Sequence, residues 1–147
     1  SEKGAPKVSW AAREYARGLS DWLVSGAVTA IHASEFSVSH SSGFAGTADA
    51  LLDTELGLTI CDFKTSSRQE DKPESWLKDH QDQLGAYSLA LHERAGIRVA
   101  GGAVIIGKSN GAIQLRMLSE LEMRGCEVRW QERLDRYMAM VAVGAVG

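Results

Sequence analysis

Cys61-Asp62-Phe63-Lys64-Thr65 closes an apolar β-type run, Leu58-Thr59-Ile60-Cys61, with an acid and a lysine two positions apart. Side chains at i and i+2 of a strand share a face, so Asp62 and Lys64 are expected to project together from the end of a largely buried strand. Burying a carboxylate beside an ammonium is costly unless the two are paired or bind something. A second acid, Asp49, lies upstream in Gly46-Thr47-Ala48-Asp49. Two carboxylates and a lysine converging at a strand end suit a hard divalent cation, Mg2+ or Mn2+, and a water about to attack phosphorus. In that reading Asp49, Asp62 and the Phe63 carbonyl hold the cation. Lys64 orients the water, takes its proton or neutralises charge on the phosphate. The plainer reading is a structural Asp62–Lys64 ion pair with Asp49 as a hairpin residue, and Asp-x-Lys alone does not decide between the two.

Other residues extend the constellation. Glu35, in a β-type segment between Ala33 and Phe36, is either a third carboxylate near the metal or an exposed strand residue. Gln83 and Tyr87 are four apart and so share a helix face. They reach a phosphate or water, or else are a surface glutamine beside a core tyrosine. Ser66, Ser67, Arg68 and Lys72 follow Lys64 and either grip a DNA backbone or form a solvated loop. His32, His40, His80 and His92 do not make a zinc set. Of the four tryptophans, Trp10, Trp22 and Trp130 fall on helix stripes expected to face the core. Trp76 opens a helix beside the site and is the better candidate for stacking on bases.

The elements that must position these residues follow from periodicity and turn signals. Ser9–Val24 reads as a helix, with Trp10, Tyr15, Leu19, Trp22 and Leu23 at roughly helical spacing and Gly26 as the stop. Val28–Ile31 and Phe36–Val38 read as short β pieces, and Ser41-Ser42-Gly43 as a turn. Phe44–Asp53 and Leu58–Thr65 read as a hairpin. Placing Asp53 opposite Leu58 brings Asp49 opposite Asp62, where Cβ atoms lie about 4.5–5.5 Å apart and two acids repel unless a cation lies between them. Ser66–Glu74 is a polar loop and Ser75–Arg94 a helix. Val99–Gly107 and Ala112–Leu118 are strands about a Ser109-Asn110-Gly111 turn. Ser119-Glu120-Leu121-Glu122 is a capping-box start to a last helix whose inward stripe is Cys126, Trp130, Leu134, Tyr137 and Val141. The order is α-β-β-β-α-β-β-α, an α/β domain with a central mixed sheet flanked by helices.

Size and composition are compatible with this. The 147 residues, 44% hydrophobic and 24% charged, suit a single globular domain over 1–147 with a loose N-terminal end over 1–8. No apolar run approaches the roughly 20 residues that span a bilayer, and no signal peptide is visible, so no membrane association and an intracellular location, cytoplasmic or within an organelle or host cell, are expected. The chain begins at Ser1, and further domains or protein partners are compatible with that start. Cys61 and Cys126 supply neither a disulfide framework nor a zinc or iron–sulfur ligand set. A net charge of −3 argues mildly against coating nucleic acid by bulk electrostatics, while leaving room for a local basic groove beside an acidic metal site.

Taken together, the pattern resembles the PD-(D/E)XK nuclease superfamily, and within it the RecB-type branch that includes the mitochondrial genome maintenance exonuclease and its phage and bacterial relatives. The glycine-x-x-aspartate motif stands here as Gly46-Thr47-Ala48-Asp49, and the aspartate-x-lysine motif as Asp62-Phe63-Lys64 with Thr65-Ser66 after it. The glutamine-x-x-x-tyrosine helix signature is Gln83-Leu84-Gly85-Ala86-Tyr87, and the upstream glutamate matches Glu35. The resemblance runs from about Leu19 to the end of the last helix. It implies a restriction-endonuclease-like core with Asp49, Asp62 and Phe63 as metal ligands and Glu35 supporting the metal or its water. Lys64 is then the catalytic lysine, and Gln83 and Tyr87 position substrate or water. The implied activity is Mg2+- or Mn2+-dependent hydrolysis of DNA, chiefly as an exonuclease on single strands or free ends in replication, recombination or repair. Many relatives carry a histidine on a helix upstream of the glutamate, and the first helix here has none. The alternatives are a structure- or sequence-specific endonuclease of the same superfamily and a catalytically silent DNA- or protein-binding module.

Overall fold

The computed structural model describes residues 10–41 and 45–144, with the side chains of 10–16, 45 and 47 left aside. Five strands form one sheet in the order β1-β2-β3-β4-β5. These are β1 (Ala30–Ser39), β2 (Ala45–Thr54), β3 (Gly57–Ser66), β4 (Gly101–Lys108) and β5 (Ile113–Leu118), accompanied by helices α1 (Trp10–Val24), α2 (Glu74–Ala95) and α3 (Glu120–Ala142). All strand pairs are antiparallel except β3–β4, which are parallel and joined through α2. The mixed α/β architecture and the order of elements are as the sequence leads one to expect. The Ser41-Ser42-Gly43 turn and the loose N-terminal end lie wholly or mostly outside the described residues. The two short β pieces before it prove to be one strand, β1.

Alternation decides which face each strand residue takes. Ile60, Val104 and Ile106 pack with Leu84, Tyr87 and Met123 on the side of α2 and α3. Cys61, Ala103 and Ile105 pack with Trp22 of α1 on the other side. Strand β4 is buried on both faces along its whole length, as its unbroken apolar run requires once helices cover both sides.

Each long helix carries its own boundary signals. α2 has Glu74 in its first turn, His92 and Arg94 in its last, and Gly96 in the left-handed conformation beyond it, donating to the His92 carbonyl; all three suit the helix dipole and its unpaired ends. α3 begins with the expected capping box, Ser119 accepting from the Glu122 amide and Glu122 reaching back to Ser119. The two helices run antiparallel and touch most closely at Gly85, where an added Cβ would lie 2.5 Å from the backbone of Cys126. Buried charges set their register. Asp82 accepts from Arg129 at 2.8 Å, and Glu127 accepts from Ser88 at 3.3 Å.

Candidate active site

The β2–β3 hairpin has the expected register, Asp53 opposite Leu58, but its pairing ends at Ala50–Cys61. One step later the strands part, so Asp49 and Asp62 form no cross-strand pair. Instead the Asp49 carboxylate accepts a 2.7 Å hydrogen bond from the amide of Phe63. In an extended strand a residue's N–H and C=O point to the same edge. The Phe63 carbonyl therefore faces the same opening as Asp49.

Strand β1 is irregular at the same level, with a register shift against β2 between Ile31 and Ala33. Ala33 pairs with Leu51 and Phe36 with Ala48, and all four pack on the α2 side of the sheet. Two residues of one face thus stand three apart in each strand, and the alternation slips by one between them. Glu35 sits at this slip with φ 44°, a left-handed conformation rare for a residue with a Cβ.

Asp62 is 5% exposed, and its Oδ2 is buried without a hydrogen-bond partner. Lys64 Nζ lies 3.4 Å from the other oxygen, Oδ1, on the shared face that strand geometry requires. Burial raises the Asp62 pKa to about 7, Lys64 pulls it down in part, and the neighbouring Asp49 carboxylate pushes it up. A cation between the two acids relieves both burial and repulsion. Among the described residues no three His, Cys, Asp or Glu side chains gather as a metal cage, so the protein donors that fit a divalent cation are Asp49, Asp62 and the Phe63 carbonyl, with the remaining positions left to water, as Mg2+ commonly has.

Helix α2 crosses over this opening. Gln83 Nε2 donates to the Tyr87 hydroxyl at 2.8 Å, leaving the Tyr87 proton free to be donated elsewhere. Burial first, then the charge of Asp62, keeps that hydroxyl above its usual pKa. One turn earlier, His80 Nδ1 stands 3.6 Å from Asp62 Oδ2. Burial, then Lys64 and Lys72, push its pKa down, so it faces the site as a neutral imidazole. His80, Gln83, Tyr87, Trp130 and Arg133 line an open cleft of about 390 Å3.

The sequence reading did not include His80 in the site. The available signal was its spacing, three residues before Gln83 and seven before Tyr87 on one helical stripe. Trp130, expected in the core, instead lines this cleft. Glu35 is level with Asp49 in the β1–β2 register but exposed, and it is not gathered with the two aspartates. Ser66 accepts from the Arg68 amide at 3.2 Å, and Arg68 lies against Trp76. The Cys61 thiol is pushed up to about 12 by burial and then by Asp49 and Asp62, which leaves it an inert neighbour.

Gly46 owes its place to Tyr87. A Cβ there would stand 2.6 Å from Tyr87 Cε1 and 2.9 Å from its hydroxyl. Gly46→Ala is expected to cost about 1–3 kcal/mol of stability and to shift the tyrosine off the opening. A double-mutant cycle with Tyr87→Ala checks this, because the cost should largely vanish once the ring is gone. Additive costs would overturn the explanation.

A sequence profile of the PD-(D/E)XK nuclease superfamily matches residues 5–144. No curated protein matches the chain significantly. Among solved structures, SSO0001 resembles it with a TM-score of 0.43 and 19% identity over 82% of this chain and 56% of that one. The chain thus spans little more than half of SSO0001. An alkaline exonuclease (LHK-Exo) from Laribacter hongkongensis has a TM-score of 0.39 and 10% identity over 99% of this chain and 80% of that one.

Proposed function

The chain belongs to the PD-(D/E)XK nuclease superfamily, and from that premise we propose that it hydrolyses DNA phosphodiester bonds with Mg2+ or Mn2+, chiefly as an exonuclease on single strands or exposed ends. The observation that carries the reading is the parted end of the β2–β3 hairpin. There Asp62 is buried with no hydrogen bond to its Oδ2, which has His80 3.6 Å away, and Lys64 stands 3.4 Å from its Oδ1. Asp49, Asp62 and the Phe63 carbonyl hold the cation, which supplies positive charge to the phosphate and lowers the pKa of water.

The chain's own groups do the rest. Lys64 orients the attacking water and neutralises charge growing on the phosphate oxygens. Tyr87, whose oxygen is engaged by Gln83, donates a hydrogen bond to a phosphate oxygen. His80, neutral beside Asp62, offers a hydrogen bond to the next group along the strand. Glu35, exposed and level with Asp49, stays at the rim. The hairpin end, where pairing stops at Ala50–Cys61, is where a strand enters.

Incubating end-labelled single-stranded DNA and closed circular DNA with the protein tests the reading. Degradation of the linear strand with Mg2+ or Mn2+, none with EDTA, and an intact circle are expected. Nicking of the circle would make the protein an endonuclease of the same superfamily. Folded protein that cuts neither substrate with metal present would overturn the enzymatic reading in favour of a binding module.

A further inference from the structure

Trp76 opens the stripe on α2 that continues through His80, Gln83 and Tyr87, at steps of four, three and four residues. It is 53% exposed, and the guanidinium carbon of Arg68 lies 4.6 Å from the centre of its ring. Arg68 Nε makes no hydrogen bond, so the aromatic face is what engages that part of the group. We propose that Trp76, braced from one side by Arg68, is a stacking platform for a base of the bound strand, one to two nucleotides from the phosphate at Asp49 and Asp62.

The supporting segment is tied down. Residues 67–73 are fastened to the far strands of the sheet by Lys108 pairing with Asp71. Gln114 bonds both the amide and the carbonyl of Lys72, at 2.7 and 2.9 Å. These contacts anchor the chain three to four residues beyond Arg68 without help from Trp76 itself. An exposed indole polarised by a cation on one side still offers a π surface to a base, and such stacking tolerates any sequence.

The spacing suits a strand already in the site. Trp76 is one helical turn, ~6 Å, from His80, which touches Asp62. That is the length of one to two nucleotides at ~3.4 Å each when stacked. Helical side chains lean toward the N-terminus, which carries the indole past the end of α2 and outward along the strand. The inference rests on the nuclease reading for the identity of the ligand, and its test separates the two.

Affinity for a fluorescent thymidine 12-mer and for an abasic oligomer of equal length is measured in EDTA, and again with Mg2+ in a Lys64→Ala background. Trp76→Ala is expected to weaken binding of the thymidine oligomer roughly 5- to 100-fold, to leave the abasic oligomer nearly unchanged, and to be rescued by Trp76→Phe. Equal loss on both oligomers, no loss on either, or no binding by protein that retains Trp76 would overturn the platform and leave the indole to a protein partner. Cleavage by the wild type is followed in parallel. Cleavage with Trp76-independent binding overturns the platform alone, and Trp76-dependent binding without cleavage overturns the nuclease reading alone.

Discussion

Lys64→Ala is expected to lower metal-dependent DNA cleavage roughly a hundredfold to ten-thousandfold, the range for removing one group that stabilises charge or moves a proton in the transition state. The fold should survive the change. Lys64 has a side chain 37% exposed, and a partly exposed ion pair contributes at most about 1 kcal/mol. Its removal takes away the charge that holds the Asp62 carboxyl down, so the variant's acid should bind its proton more tightly still. Lys64→Arg keeps the charge, but its planar fork cannot present the same compact ammonium, so partial activity is expected. Single-turnover cleavage of a labelled strand checks both variants. Activity of Lys64→Ala within tenfold of wild type would remove the lysine from the chemistry.

Asp62→Asn should destroy function and improve the fold. In the metal-free protein the folded pKa, about 7, stands above the ordinary 3.8. Below about pH 4 the carboxyl is protonated in both folded and unfolded chains and costs nothing. Between about 4 and 7 the unfolded chain gives up the proton that the folded one keeps, so stability falls by about 1.4 kcal/mol per pH unit. Above 7 the penalty is complete and constant. Asparagine carries no such charge. At pH 8 in EDTA the variant should therefore be more stable than wild type by a few kcal/mol, or roughly 5–15 °C in Tm for a domain of this size. The advantage should fade toward pH 4. Mg2+ or Mn2+ should raise the wild-type Tm and leave the variant's unchanged, while cleavage by the variant falls at least roughly a hundredfold. Thermal melts at pH 4 and 8, with and without metal, separate these effects. Equal stabilities at pH 8 would mean that burial of Asp62 carries no cost.

These expectations show why the site was only partly legible beforehand. Asp62 and Lys64 share a face because a strand alternates, and Gln83 meets Tyr87 because a helix returns every fourth residue. Both facts are local and were readable. The hairpin register was also readable, since a short turn leaves little freedom in pairing. That pairing stops at Ala50–Cys61 was not, because no local repeat in either strand marks where the two part. His80 was missed for a similar reason: a lone histidine on a helix gains meaning only when the helix crosses a strand end carrying an acid.

The last helix shows the same division. Its cap and its first inward residue were plain, and Cys126 is buried. The stripe was expected to continue inward, yet Tyr137 is 52% and Val141 39% exposed. α3 runs antiparallel to α2, so Arg129 meets Asp82 and Arg133 meets Asp79. A few residues further on, α2 has reached its first turn and no longer faces α3. Periodicity names the apolar stripe of a helix, but the length of its neighbour determines how much of that stripe is covered.

Local patterning was therefore enough for the order of elements, the hairpin register and the Asp-x-Lys pair, because each depends on a fixed repeat along the chain. Where the hairpin opens, which helix residue reaches Asp62 and what Arg68 rests against depended on segments far apart in sequence. Those were decided by how the sheet bends and where the helices cross it.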